Sequence, residues 1–329
     1  SALRTLGRVM PRDADDWSLT AVAQLLEDTD DRIRVAAGTC MGQIVNRGDH
    51  RAMTEVNRRM QDERWYVRSA AVNALGEVAE CNDEACIMSA IALSNDLIWG
   101  VRLYAVPTLV KISDRGDSRA ISACIRRLGD TSSDVRVQAV RAIGRLCNQG
   151  DKEAITSVCE FLDHKNKWIR LSAVRALAAI AVGDDTAIEA VAKCMEHPND
   201  RVRKDAIKAV PQLAQKGQES AIGALTKATE HEDWPARQAA LKAMPVAVEK
   251  GDERGFEAVA ACLKDLDVNV RMAALKALRK VAAKGDNRAL NVVAPHLKHE
   301  YWPARVTSNE AFNDLQPRGR GDSDSDSEQ

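Results

Sequence analysis

The sequence predicts an all-α protein, a solenoid of about nine to ten two-helix repeats with a 34-residue period. One arginine recurs at this interval, an alanine follows it by three residues in almost every repeat, and apolar residues keep helical spacing around both. The intervals between arginines are 34 residues, except for one of 33. The arginines are Arg34, Arg68, Arg102, Arg136, Arg170, Arg203, Arg237, Arg271 and Arg305.

Each repeat is predicted to contain two helices, A and B, and the fifth repeat shows the pattern. Ile155 and Val158 belong to the apolar face of its helix A, and Ala173 and Leu177 to that of its helix B. A glycine or asparagine that follows each helix B is typical of a left-handed C-cap. One such hairpin cannot bury its apolar face alone, so neighbouring hairpins must stack.

The two ends of the chain differ from the repeats between them. Residues 1–10 look like the later part of a helix B, and the sequence begins at Ser1 without a methionine, so we expect a truncated first repeat. In the last repeat, Ser308, Asn309 and Asn313 resemble polar capping substitutions. We therefore predict a solenoid over residues 1–315 and a disordered acidic tail over 316–329. The tail serines resemble acidophilic-kinase substrates: Ser323, Ser325 and Ser327.

The repeated signature D-x(5)-R followed by A-x-x-A-L-G resembles HEAT repeats, of the short regular kind also found in phycobilisome bilin lyase subunits. The resemblance covers residues 1 to about 315. It implies a right-handed solenoid with the B helices on its concave face, and an Asp–Arg ladder through the turns between helices A and B. The Asp position is matched by Asp28, Asp62, Asp96, Asp130 and Asp265. Histidine replaces it at His164, His197, His231 and His299, where the resemblance assigns no ladder.

Composition and cysteine usage limit the environment of the protein. The net charge is −1, which argues against nucleic acid, and no apolar run approaches the roughly 20 residues of a membrane-spanning helix. The eight cysteines form no CxxC pair, and most lie on predicted apolar stripes. We therefore expect an intracellular, reducing compartment, cytoplasmic or nuclear. Targeting to an organelle stays open, because the start of the chain is missing.

The histidine series invites a metal interpretation, which the spacing disfavours. Adjacent helices pack about 8–10 Å apart, whereas zinc needs nitrogen ligands at about 2.0–2.1 Å. Deoxyhypusine hydroxylase is the HEAT-type enzyme to exclude, and its iron ligands resemble His-Glu pairs placed just after the position of the repeated arginine. Here the only such pairs, His231-Glu232 and His299-Glu300, precede it. We predict no metal, no cofactor and no catalytic residues.

The candidate partner site lies five residues after the repeated arginine, a position that points away from the apolar face of helix B. We call its consecutive basic residues the basic series: Arg141, Arg175, Lys208, Lys242 and Lys276. One residue after the arginine, several repeats carry an apolar side chain: Leu103, Val137, Leu171 and Met272. Together they predict a partly apolar groove with a basic spine, for which a merely solvated charged face is the alternative.

Tryptophan is concentrated at the turns between helices A and B. Trp65, Trp99, Trp234 and Trp302 lie three residues before the arginine, and Trp168 lies two before it. These side chains either pack over the neighbouring turn or form an aromatic rim that contacts a partner.

The function most consistent with these features is a non-enzymatic scaffold or adaptor. It would bind an acidic or amphipathic protein segment through the B-helix face, alone or within a larger complex. One alternative is a subunit that acts like a bilin lyase, or a chaperone working with a partner. A second is a nucleic-acid-binding solenoid, which a steep salt dependence of binding would reveal.

Overall fold

A computed structural model of the chain describes residues 2–10 and 12–317. These residues form nineteen α-helices, several of which end in a short 3-10 turn. The helices are α1 Ala2–Val9, α2 Asp16–Gln24, α3 Asp31–Ile44, α4 His50–Met60, α5 Trp65–Val78, α6 Glu84–Leu93, α7 Trp99–Ile112, α8 Ser118–Arg126, α9 Ser133–Leu146, α10 Lys152–Cys159, α11 Lys167–Ile180, α12 Asp185–Cys194, α13 Asp200–Leu213, α14 Glu219–Thr229, α15 Trp234–Ala247, α16 Glu253–Ala261, α17 Val268–Val281, α18 Asn287–Val293 and α19 Trp302–Leu315.

The alternation of helices A and B is confirmed along the described chain. The even-numbered helices, α2 to α18, are the A helices, and each odd-numbered helix from α3 to α19 is a B helix of 14 residues. Pro235 and Pro303 lie in the first turns of α15 and α19, where a missing amide hydrogen costs no helical hydrogen bond. None of the described helices combines the length and apolar character that a membrane crossing requires.

Most A helices begin at an aspartate that caps the helix. The side chains of these residues accept hydrogen bonds from backbone N–H groups of the first helical turn: Asp15, Asp49, Asp83, Asp117, Asp151, Asp184, Asp252 and Asp286. Such a cap typically stabilises a helix by about 1 kcal/mol. The residue directly before the aspartate is a glycine or an asparagine in most of these repeats.

The glycine prediction was wrong in its position. The residue after helix B is in most repeats extended, as Val45 is, and the left-handed residue lies later in the turn, where Gly48 has a φ of 82°. The Gly48 N–H donates to the Val78 carbonyl at the end of the next B helix, at 2.8 Å. Equivalent bonds start from Asn82, Gly116, Gly183, Gly217, Gly251 and Gly285. The glycine therefore serves the neighbouring repeat, because its amide satisfies a carbonyl that the end of an α-helix leaves unpaired.

The chain divides into two compact units, residues 1–161 and 162–329. In the first unit the B helices α3, α5, α7 and α9 pack in chain order, and their A helices form a second layer. Helix α1 packs on α3 as a B helix would, and the Ala14 N–H donates to the Ile44 carbonyl at 3.1 Å, the bond that glycine makes elsewhere. Residues 2–10 therefore pack as part of a repeat, and the truncation of that repeat stays a prediction.

In the second unit the B helices α11, α13, α15, α17 and α19 pack in chain order, with α12, α14, α16 and α18 as the layer of A helices. Ser308 of α19 is fully buried and its hydroxyl has no hydrogen-bond partner, so its assignment as a polar cap was wrong. Gln316 closes α19, and Pro317 follows it. The rest of the predicted tail, with Ser323, Ser325 and Ser327, lies outside the described residues.

Candidate partner-binding surface

The nine repeated arginines hold the turns between helices A and B. In every repeat one guanidinium Nη1 donates to two backbone carbonyls, those six and five residues before the arginine, at 2.6–3.2 Å. Most of these side chains are buried. These arginines therefore stabilise the fold, and little of each guanidinium group is left to bind a ligand.

The expected Asp–Arg ladder is present in part. Arg68 pairs with Asp96, Arg102 with Asp130 and Arg237 with Asp265, each aspartate being one repeat further along the chain. Each carboxylate accepts two hydrogen bonds, at 2.6–3.0 Å. Such bidentate charge-assisted pairs are geometrically specific and strong.

Asp62 does not join the ladder, although the sequence gives it the right position. It pairs with Arg64 two residues later, at 2.8 Å. The Arg34 guanidinium instead reaches Asp31, at 2.9 Å, and lies 5.0 Å from the centre of the Tyr66 ring.

In two of the four places where histidine replaces aspartate, the arginine one repeat earlier pairs with a different aspartate. Arg170 pairs with Asp205 on the next B helix at 2.7 Å, and Arg203 pairs with Asp233. Arg271 has no carboxylate partner in the described residues and lies 5.4 Å from the centre of the Tyr301 ring. Asp205 and Asp233 lie outside the repeat position of the ladder, so the period alone could not identify them.

The four histidines close the turns between helices A and B through hydrogen bonds. His164, His197, His231 and His299 each accept at Nδ1 the backbone N–H of the residue two positions later, at 2.9–3.1 Å. Aspartate at the same position accepts the equivalent N–H, as Asp265 does from Asp267 at 2.8 Å. The described part of the chain contains no group of three or more His, Cys, Asp or Glu side chains placed to hold a metal ion. The absence of a bound metal stays a prediction.

The basic series lies on the exposed side of the B helices. Arg141 on α9 in the first unit is exposed, and so are the four members in the second unit, Arg175, Lys208, Lys242 and Lys276. In the last repeat Glu310 holds the equivalent position and pairs with Arg279, at 2.9 Å. Whether the series binds a partner is not decided by exposure alone.

Two members of the series line one groove. Helices α13 and α15 pack side by side, and between them lies an open groove of about 550 Å³ that Lys208 and Lys242 share with Lys204. Its other walls are largely apolar and include Trp234, Pro211 and Val246, of which Val246 is 58% exposed. None of the described residues that line it is acidic.

The other predicted site residues do not reach this groove. Arg175 and Lys276 belong to the same unit but lie on α11 and α17, and Arg141 belongs to the first unit. Of the apolar residues that follow the arginine, Leu103 and Leu171 are half-buried, whereas Val137 and Met272 are exposed. In the groove itself Lys204 and Gln238 hold that position. The structure therefore gathers Lys208, Lys242 and Trp234, and places the rest elsewhere.

A larger groove, of about 630 Å³, lies between the A helices α12 and α14. Its lining mixes charges of both signs: Glu189, Glu196, Glu230 and Glu232 with Lys193 and Lys227. Lys227 is already paired with Glu196. This groove has no single sign of charge with which to select a ligand, unlike the groove between α13 and α15.

The tryptophans at the turns are neither buried nor fully exposed. The exposed fraction of the five side chains ranges from 41% for Trp234 to 65% for Trp302. Trp65 lies directly over Gly100 of the next B helix, since a Cβ built on Gly100 would approach its ring to 2.8 Å. Sequence reasoning missed two apolar side chains of the turns between helices A and B, Leu97 and Leu266, which are 94% and 82% exposed. Packing over the neighbouring turn is therefore observed for Trp65, and an aromatic rim that contacts a partner stays a prediction.

The cysteines are free thiols, and five of them are buried. Burial raises the pKa of the Cys86, Cys124 and Cys147 thiols to about 12, and that of Cys262 to about 11. Thiols that stay protonated are poor nucleophiles and poor metal ligands. They behave as small core residues, as the apolar stripes indicate.

One comparison with known proteins, the family model, agrees with this architecture. The family model for HEAT repeats matches residues 1–76, 121–211 and 224–312, which is most of the chain. Among solved structures, one similar chain is an engineered protein from the Northeast Structural Genomics Consortium. It is 19% identical, the match covers 97% of this chain and 95% of that chain, and the TM-score is 0.38. No curated protein matches.

Proposed function

Since the chain belongs to the HEAT-repeat family, we propose that it is a non-enzymatic scaffold that binds a protein partner through the exposed face of its B helices. HEAT repeats are typical of protein interaction, and the residues that define the repeat here are used in packing. The face that remains is the one that carries the basic series. Five buried free thiols support a reducing compartment as its working environment.

The observation that supports this proposal best is the groove between α13 and α15, with three lysines and no acidic residue in its lining. Stacking does not require lysine at positions 208 and 242, because both side chains point away from the core and are exposed. Exposed basic side chains on an otherwise apolar groove complement the carboxylates of an acidic protein segment. Complementary charges of this kind act mainly on specificity and on the rate of association.

A charge-reversal experiment tests the proposal. The variant Arg175→Glu, Lys208→Glu, Lys242→Glu should fold normally, since these side chains are exposed, and should lose rapid binding of immobilised poly-L-glutamate at low salt. The matched control Lys216→Glu, Lys250→Glu, Lys284→Glu changes the charge equally, at three exposed lysines in the turns between helices B and A of the same unit. It should bind almost as fast as the parent chain.

Equal losses in the two variants would show that only net charge matters and would overturn the proposal. A duplex DNA probe belongs in the same experiment. Tighter binding of DNA than of poly-L-glutamate, with a steep salt dependence, would favour the nucleic-acid alternative instead.

A further inference from the structure

We propose that the groove between α13 and α15 recognises a short acidic segment with a large apolar side chain at each end. This inference rests on the proposed function and specifies the partner of the same surface. It follows from where apolar and charged side chains lie along the groove, a property that poly-L-glutamate does not test.

The α15 side of the groove is apolar at both ends. Trp234 is the first residue of α15 and lies at one end, where Pro235 follows it. Val246 of the last turn of α15 lies at the other end, with Pro211 of α13 on the same lining. Proline, valine and tryptophan offer no charge to an acidic group, so these ends suit aliphatic or aromatic side chains.

The middle of the groove is basic. Lys208 and Lys242 occupy equivalent positions on the two helices and are exposed. The Lys242 ammonium donates to Gln238 Oε1 at 2.9 Å, and a neutral amide leaves its charge uncompensated. Lys204 is paired with Asp200 at 3.0 Å and contributes less free charge. Lys208 and Lys242 therefore line the groove between its ends, and neither ammonium group has a carboxylate partner among the described residues.

The length of the groove sets the length of the ligand. From Trp234 to Val246 the helix rises about 18 Å, at about 1.5 Å per residue. An extended segment covers this length in about six residues, at about 3.3 Å per residue. Helices α13 and α15 lie about 8–10 Å apart, so carboxylates near the middle of such a segment can reach lysines on both sides.

Two fluorescein-labelled peptides test the inference by fluorescence anisotropy at low salt. One has a leucine at each end and glutamates between them, and the other has alanine in place of both leucines. We expect the leucine peptide to bind the full chain about tenfold tighter, the factor that partial burial of two leucines supports.

Three variants separate the apolar ends from the basic middle. Val246→Asn removes an apolar wall at an exposed position, and should weaken the leucine peptide while leaving the alanine peptide unchanged. Lys208→Met with Lys242→Met removes charge but keeps the side-chain length, and should weaken both peptides. Trp234→Ala probes the apolar end opposite to Val246. Unchanged melting curves confirm that each variant folds.

The outcomes distinguish this inference from the proposed function. Equal binding of the two peptides by the parent chain, with both weakened by the lysine variant, overturns the inference and leaves the proposed function standing. Binding that the lysine variant does not change overturns both. An oligonucleotide that displaces the leucine peptide and is insensitive to Val246→Asn overturns the inference in favour of a phosphate-bearing ligand.

Discussion

Arg102 and Arg271 occupy equivalent positions in two repeats, but their electrostatic surroundings are opposite. Arg102 lies at 2.6 and 2.7 Å from the two oxygens of Asp130, and both side chains are buried. Arg271 is equally buried, but His299 occupies the position of the aspartate. The Nε of Arg271 has no hydrogen-bond partner among the described residues. Both arginines still bind the carbonyls of their own turn.

The comparison separates two roles of Asp130. Asp130 accepts the Ser132 N–H at 2.9 Å, which closes the turn, and also neutralises Arg102. His299 also closes the turn, because its Nδ1 accepts the Tyr301 N–H, but it cannot neutralise a cation. The repeat tolerates the loss of the ion pair because the turn depends on the hydrogen bond that closes it. The ion pair affects only the free energy of unfolding.

The largest effect is expected from Asp130→Asn, which should lower the free energy of unfolding by about 3 kcal/mol because it leaves Arg102 buried without a counter-charge. Chemical denaturation at neutral pH measures it. The matched control is Asp28→Asn, because Asp28 makes the same turn hydrogen bond and forms no ion pair with an arginine in the described residues. An equal loss in both variants would show that the loss does not come from the ion pair with Arg102.

The pH dependence of Asp130→Asn gives an independent check. Burial opposes ionisation of Asp130, but the hydrogen bonds from Arg102 and from the Ser132 N–H outweigh it, so its pKa lies below the usual value. A carboxyl whose pKa is lowered by folding stabilises the protein above its unfolded pKa, about 3.9. The difference between parent and variant should therefore be complete at neutral pH and shrink as the pH falls below about 4.

Ser308→Ala should raise the free energy of unfolding by about 1–2 kcal/mol, because it removes a buried hydroxyl that has no partner. Alanine is the residue at this position in the eight preceding repeats: Ala37, Ala71, Ala105, Ala139, Ala173, Ala206, Ala240 and Ala274. The neighbouring Thr307 is a matched control, since its hydroxyl donates to the Pro303 carbonyl at 3.0 Å. Thr307→Val should destabilise, and a Ser308→Ala variant that also destabilises contradicts the assignment.

His299→Asp should raise the free energy of unfolding by about 1 kcal/mol, because it places a carboxylate beside Arg271. This is the smallest effect, since desolvation of the new carboxylate offsets part of the gain. Asp265 shows the geometry that the new aspartate would adopt, with two bonds to Arg237 at 2.7 and 2.9 Å. His299→Asn keeps the turn acceptor without the charge and should be nearly neutral. Thermal melts of the two variants should differ, and identical melting temperatures would mean that Tyr301 already compensates Arg271.

Much of the fold could be predicted from local pattern. The 34-residue period fixes where helices A and B begin, and the phase of each arginine on helix B predicts that it lies at the edge of the core. The outward position of Lys208 and Lys242 follows from the same phase. These predictions succeed because the side of a helix on which a residue lies depends only on its spacing from its neighbours.

The pairing between repeats could not be predicted in the same way. Asp205 replaces a missing ladder aspartate from a different position on the next helix, and Asp62 stays out of the ladder despite its matching position. Long arginine side chains reach several carboxylates, so the nearest one is decided by packing. The glycine amide is a similar case, since its acceptor lies about one repeat away in the sequence.

The sequence by itself determined the class of fold, the repeat unit, the buried arginines and the exposed basic series, because all of these are local consequences of helical spacing. Only the tertiary structure decided that Lys208, Lys242 and Trp234 line one groove, that Arg271 lacks a carboxylate and that the Ser308 hydroxyl is unpaired. The physical reason is that these properties belong to pairs of neighbouring helices. Their axial offset and side-chain reach are set by the packing of whole repeats, and no single helix encodes them.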